Sequence, residues 1–298
     1  MAAEIASIRL DQQVFQQTLE KKLADLPPLP AVVTRIMQTV NDPRSAADEL
    51  NRLISLDQGL SSKMLRIVNS AYYGFPRRIS TITHAVVILG FNTVRNLVLG
   101  VSAFGMLSHK TSRLGLDRVR FWQHCVGSAV AARLLAKRCR LSNREALEEA
   151  FIAGLLHDIG ELFLDCYFPA QYALTMSHAG QEGMPMLEAE RALLGVDHGT
   201  VGRRIAGLWN FPPLLASTMG EWPAPEPATE HFEFAAVIHA ADWLAWQAGL
   251  GTYEQIPGPG LSPGVAAWLA LGEDETVELT QEVQTQFAAA RDMFALQD

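Results

Sequence analysis

Cysteine is scarce and shows no pattern. Cys125, Cys139 and Cys166 are the three in the chain. An odd count without any Cys-x-x-Cys pair excludes a disulfide framework and argues against a zinc knuckle. Each cysteine sits in an apolar helical context, so buried free thiols in a reducing cytosol are expected. Positive charge is also short: 24 Lys and Arg face 32 Asp and Glu, a net charge of −8. That balance counts against a chain whose main task is holding nucleic acid or an anionic membrane, while leaving room for a local basic patch. The most apolar long window, residues 85–107, is interrupted by Asn92, Arg95 and Asn96. Buried helices are expected there rather than a membrane span. Met1-Ala2-Ala3-Glu4 is not a basic stretch leading into an apolar one, so no signal peptide is expected and the location is expected to be cytoplasmic. Strand alternation, fixed-period repeats and Gly-rich phosphate loops are all missing.

What remains is a helical pattern. The chain has 298 residues, 49% hydrophobic and 19% charged, enough to bury a large core. Val14, Phe15, Leu19 and Leu23 form the stripe of a leading helix, which Leu26-Pro27-Pro28-Leu29-Pro30 breaks. Apolar spacing then predicts helices over 31–40, 48–54, 60–69, 83–89 and 93–106, with a break at Gly90. Further helices are predicted over 119–139, 144–157, 186–194, 197–207, 212–218, 232–247 and 275–295. Residues 220–231 and 255–264, rich in proline, read as exposed loops. A connector with Lys110, Arg113, Arg118 and Arg120 suggests two helical halves, 1–115 and 116–250, followed by a C-terminal loop and helix over 251–298. The fold class is all-α. The segment Tyr72-Tyr73-Gly74-Phe75-Pro76-Arg77-Arg78 pairs aromatics with arginines. It reads as a loop docking onto the second half in preference to a nucleic-acid surface.

His157-Asp158 stands out, because it follows Phe151-Ile152-Ala153-Gly154-Leu155-Leu156 with no charge between. Burying an unpaired carboxylate there would cost several kcal/mol, so a partner cation or metal is expected. His124 and Asp242 also lie inside apolar helical patterns. The order His, His-Asp, Asp makes a metal site the leading reading. Neutral imidazole with carboxylate suits Fe, Mn, Ni, Co or Zn. Two Asp and one divalent ion leave no net charge, which fits an apolar surround. If His157 and Asp158 share one helix, they lie about 100° apart around its axis, and the ion sits between that helix and its neighbours. His239 reads as a core hydrogen-bonding residue. Glu161 reads first as a surface or salt-bridged residue and second as a general base.

Several stretches together resemble the HDOD family. They are Leu26-Pro27-Pro28-Leu29-Pro30, residues 54–74 (Ile54-Ser55-Leu56-Asp57 through Asn69-Ser70-Ala71-Tyr72-Tyr73-Gly74), residues 79–90, Phe121-Trp122-Gln123-His124 and Gly154-Leu155-Leu156-His157-Asp158-Ile159-Gly160. The resemblance covers roughly residues 20–215. It implies an all-helical bacterial signalling or regulatory module related to the HD phosphohydrolases. It also implies that His124, His157, Asp158 and Asp242 correspond to metal ligands of that superfamily. His198, in Val196-Asp197-His198-Gly199, resembles a further ligand of the HD-GYP branch, the cyclic-di-GMP phosphodiesterases. That branch has a lysine where Glu161 stands, and its paired histidines and Gly-Tyr-Pro loop have no counterpart; Met219-Gly220-Glu221-Trp222-Pro223 occupies that region. These departures count against a second metal and against a diphosphate-binding cation. The expectation is a regulatory module with one divalent ion, acting through a signalling partner or a small nucleotide-like ligand, with self-association left open. The alternative is a metal-dependent phosphohydrolase acting on a nucleotide or cyclic dinucleotide.

Overall fold

Acidic and hydroxyl side chains start several of the helices by accepting orphan backbone N–H groups. Asp57 accepts from the Leu60 N–H at 2.9 Å, Thr81 from His84 at 3.2 Å, and Asp197 from Thr200 at 2.7 Å. A computed structural model describes residues 12–38, 43–108, 115–139, 141, 144–226 and 230–291. Asn41, Asp42, Lys110, Arg113, residues 227–229 and the end of the last expected helix lie outside the described residues. The elements are helices, and among the described residues there is no strand. The all-α expectation therefore holds.

The first half comprises α1 (Gln12–Ala24), α2 (Ala31–Gln38), α3 (Pro43–Leu56), α4 (Gln58–Val68), α5 (Ile82–Leu89) and α6 (Phe91–Ser108). Gly90, at φ 92°, splits the most apolar stretch, and α5 and α6 meet at 118°. Among the described residues, no single helix is long and apolar enough to cross a membrane. The first helix, α1, lies against the second half: Phe15 packs on Phe168, and Gln16 donates to the Leu194 carbonyl.

The second half comprises α7 (Arg118–Arg138), α8 (Arg144–Leu156), α9 (Ile159–Tyr167), α10 (Pro169–Glu182), α11 (Met186–Leu194), α12 (His198–Leu208), α13 (Pro213–Glu221) and α14 (Phe232–Gln247). Two more helices, α15 (Pro263–Leu269) and α16 (Glu273–Ala290), complete the chain. The centre is α7, which packs on α8, α14 and α16. Its approach to α8 depends on Gly154: a Cβ there would lie 2.7 Å from the Ser128 carbonyl oxygen. That crossing brings His124, one turn before Ser128, next to His157, one turn after Gly154.

Three expectations need correction. Residues 159–182 hold two helices, α9 and α10, where none was expected. His157 and Asp158 do not share a helix, because α8 ends at Leu156 and α9 begins at Ile159. The pair forms the break, with Asp158 at φ −96°, ψ 16°. Residues 220–231 are not wholly an exposed loop: α13 continues to Glu221 and Trp222 is buried. The aromatic loop after α4 docks on the second half as expected. Tyr73 donates to Glu148 at 3.0 Å, Tyr72 packs on Phe151, and the Arg133 guanidinium lies over both tyrosine rings. Burial there pushes the Tyr72 phenol up to about 12.

Candidate metal centre

The break between α8 and α9 aims two side chains inward. His157 Nδ1 lies 2.8 Å from the Gly154 carbonyl, one of the carbonyls the end of α8 leaves open. A carbonyl only accepts, so Nδ1 carries the proton and the neutral ring presents its Nε2 lone pair to the interior. His124, on α7, is held the same way, with Nδ1 3.1 Å from the Leu250 carbonyl. His198, the first residue of α12, gives both its backbone N–H and its Nδ1 to Glu190 Oε2, each at 2.8 Å. Such outer hydrogen bonds set the tautomer and orientation that a metal-binding imidazole needs.

The three Nε2 atoms converge on two carboxylates. Asp158 Oδ2 is 3.3 Å from His124 Nε2 and 3.1 Å from His157 Nε2, and Asp158 Oδ1 is 3.2 Å from His198 Nε2. From α14, Asp242 Oδ1 reaches to 3.1 Å from His124 Nε2 and 3.8 Å from His157 Nε2. Donor atoms of His124, His157 and Asp158 all fall within 4.8 Å of one another. All five side chains are buried.

The electrostatics call for a cation. Burial alone would lower the His124 imidazole, yet Asp158 and Asp242 raise it to about 10; the same opposition raises His157 to about 9. Burial alone would raise Asp158, and His157, His124 and His198 hold it well below the usual carboxylate range. Lone pairs facing lone pairs at these distances repel unless protons or a metal ion sit between them. His157 Nε2, Asp158 Oδ1 and His198 Nε2 are buried without a hydrogen bond of acceptable geometry. Two imidazoles and two carboxylates fit one divalent ion, with His198 beside them.

Glu161 lies one turn into α9 and is buried, not at the surface. It accepts from Tyr172 at 2.9 Å and from Tyr253. Burial, reinforced by the charge of Asp158, pushes its carboxyl up to about 7. His239 makes the expected core hydrogen bonds: Nδ1 donates to the Trp222 carbonyl and Nε2 accepts from the Ser262 N–H, both at 3.0 Å. With both nitrogens so used, and burial holding its pKa down, it is not available as a ligand. Trp222 packs edge-on to His157 at 4.8 Å and stacks on His198 at 5.7 Å.

Sequence reasoning missed Glu190, Tyr172, Trp222 and Tyr253. Glu190 carried a readable signal, because it falls on the buried stripe of α11 with Met186, Ala189 and Leu194. The cavity beside the cluster holds only about 30 Å³, room for a water or two. Tyr253, Pro257 and Pro259 line it, and among the described residues no Lys or Arg does.

Comparison with known proteins agrees with this architecture. An HDOD domain protein of unknown function from Geobacter sulfurreducens superposes with a TM-score of 0.75 at 26% identity, covering 94% of this chain and 98% of its own. A protein from Shewanella amazonensis SB2B, named as a candidate phosphohydrolase, gives 0.69 at 27% identity, covering 93% and 98%. An uncharacterised protein of Treponema pallidum (strain Nichols) is 25% identical over 242 residues; that match covers 80% of this chain and only 46% of the relative. The HDOD domain model matches residues 26–224, well over half of the chain, and the chain belongs to the HDOD domain family.

Proposed function

We propose that this protein is a regulatory HDOD module that holds one divalent ion at His124, His157, Asp158 and Asp242. His198, oriented by Glu190, supports the ion from a fifth direction. The observation that carries this reading is the convergence of preoriented Nε2 lone pairs and carboxylates in a buried cavity too small for a nucleotide. The ion neutralises the two aspartates and ties α7, α14 and the α8–α9 break into one unit. Output then passes through protein contacts or a small ligand in the cytosol. Elemental analysis of the purified protein tests it. About one equivalent of Fe, Mn, Ni, Co or Zn per chain is expected, lost in Asp158→Ala, with no turnover of cyclic or linear nucleotides. A metal-free wild-type protein sinks the proposal.

A second reading, a metal-dependent phosphohydrolase, draws support from Glu161. A carboxyl raised to about 7 in the same cavity suits a general base. A divalent ion there would supply a water of lowered pKa. Turnover that disappears in Glu161→Gln while metal content stays unchanged would favour the enzyme over the module.

A further inference from the structure

We propose that the groove between α4, the loop after it and the end of α16 binds a nucleoside diphosphate. It is a site separate from the metal centre. The groove measures about 960 Å³, at the upper end of the range for small-molecule sites. Arg66 and Arg78 flank it, with Ser62, Ser70 and Ser80 supplying hydroxyls and Ala288 and Ala289 closing the far side. Among the described residues, no Asp or Glu lines it.

The two guanidiniums are the informative feature. Elsewhere in the described residues, arginines mostly face carboxylates, as Arg118 does Asp165 at 2.7 Å and Arg133 does Glu148 at 3.0 Å. Neither Arg66 nor Arg78 has such a partner among the described residues. In a chain of net charge −8, two uncompensated cations on one concave surface mark an anion site, and guanidinium forks match phosphate oxygens.

The frame under them is rigid. Asn69 donates to the Leu65 and Ile79 carbonyls and accepts from the Ile79 N–H, each at 2.7 Å. This clamp ties α4, which carries Arg66, to the strand of loop that carries Arg78. Phe75 adds a flat apolar surface in the same groove and is itself stacked on Tyr73 at 6.1 Å with rings 7° apart. A base can stack there while two phosphates meet two arginines. Among the described residues the metal cavity has no Lys or Arg on its walls, and it has no room for a nucleotide, so the two sites take different chemistry. Tyr72 and Tyr73, in the same loop, contact Arg133 and Glu148.

Calorimetric titration of the full chain with ADP, GDP, pyrophosphate and adenosine, without added metal, tests the proposal. At least one nucleoside diphosphate is expected to bind more tightly than pyrophosphate, with adenosine silent. Arg66→Gln and Arg78→Gln should each weaken binding about tenfold, and the double variant should abolish it. Both side chains are exposed and unpartnered, so these variants should keep wild-type thermal stability and metal content. Phe75→Leu should weaken the nucleotide and leave pyrophosphate unchanged. Absence of binding by both nucleotides, or binding that survives the double arginine variant, overturns the proposal. So does binding lost in Asp158→Ala, which would place the nucleotide at the metal centre.

Discussion

Between α2 and α6 the described buried side chains are apolar but for Thr93 and Asn96, whereas the region from α7 to α14 buries His124, Glu148, His157, Asp158, Glu161, Asp165, Glu190, His198 and Asp242. The first region is held by transfer of apolar surface out of water, at about 25 cal/mol per Å². The second carries ionisable groups whose desolvation opposes folding unless each finds a partner. Arg118 serves Asp165, Arg133 serves Glu148, and Glu190 serves His198. The cluster at His124, His157, Asp158 and Asp242 has no such internal solution without protons or an ion. The stability of the first region should therefore be indifferent to metal, and that of the second should depend on it.

The largest effect separates the regions by that dependence. At a metal concentration about a thousandfold above Kd, binding stabilises the native state by about 4 kcal/mol. His157→Ala should lose most of that, and a chelator should bring wild type close to the variant. Leu50→Ala, in the fully buried core of α3, should cost about 3 kcal/mol with or without chelator. Denaturant unfolding of wild type and both variants under the two conditions measures all six values. A chelator-dependent cost for Leu50→Ala would erase the distinction between the two regions.

A pair of glycines sharpens the same comparison at smaller scale. A Cβ at Gly160, on α9, would lie 2.0 Å from the His198 carbonyl oxygen. Gly160→Ala must push α12 away, at about 2 kcal/mol, and should carry His198 off the cluster with a matching fall in metal affinity. At Gly105, on α6, a Cβ meets nothing within 4 Å. Gly105→Ala should stabilise the protein by about 0.5 kcal/mol through helix propensity and leave metal affinity alone. Equal effects at the two positions would show that the α9–α12 contact does not set the site.

The same contrast explains what could be read from the chain. In α11, which has one buried face, the pattern was plain and the boundaries are those its apolar spacing predicts. In α9, every residue from Ile159 to Asp165 is buried. A helix covered on all sides has no stripe, and its Glu161 and Asp165 look like a solvated face. The break at His157-Asp158 carries no Gly or Pro to announce it, so both residues were expected on one helix. The residues of the cluster were legible because charge inside an apolar run is costly in any fold. Trp222 was not, because its flanking prolines and glutamates resemble a loop. Tyr172 and Tyr253 reach Glu161 only through tertiary packing, which no local spacing encodes.

The smallest effect is a pH term, and it tests whether the second region buries a neutral imidazole as well as a demand for a cation. His239 is tied to Trp222 and Ser262 through both ring nitrogens, and burial lowers its pKa in the folded state. The unfolded chain, with an imidazole near 6.5, therefore takes up a proton more readily than the folded one. The neutral ring's contribution to stability is complete above that value and is lost as pH falls below it. His239→Gln keeps an acceptor for Ser262 but cannot titrate, so it lacks this loss. The stability gap between wild type and His239→Gln should narrow from about pH 7.5 to about pH 5.5. Contributions from groups common to both proteins cancel in the difference. A gap that stays constant over that range would mean the folded and unfolded imidazoles bind protons alike. His239 would then not stand apart as a buried neutral strut between α14, Trp222 and the loop beside the cavity.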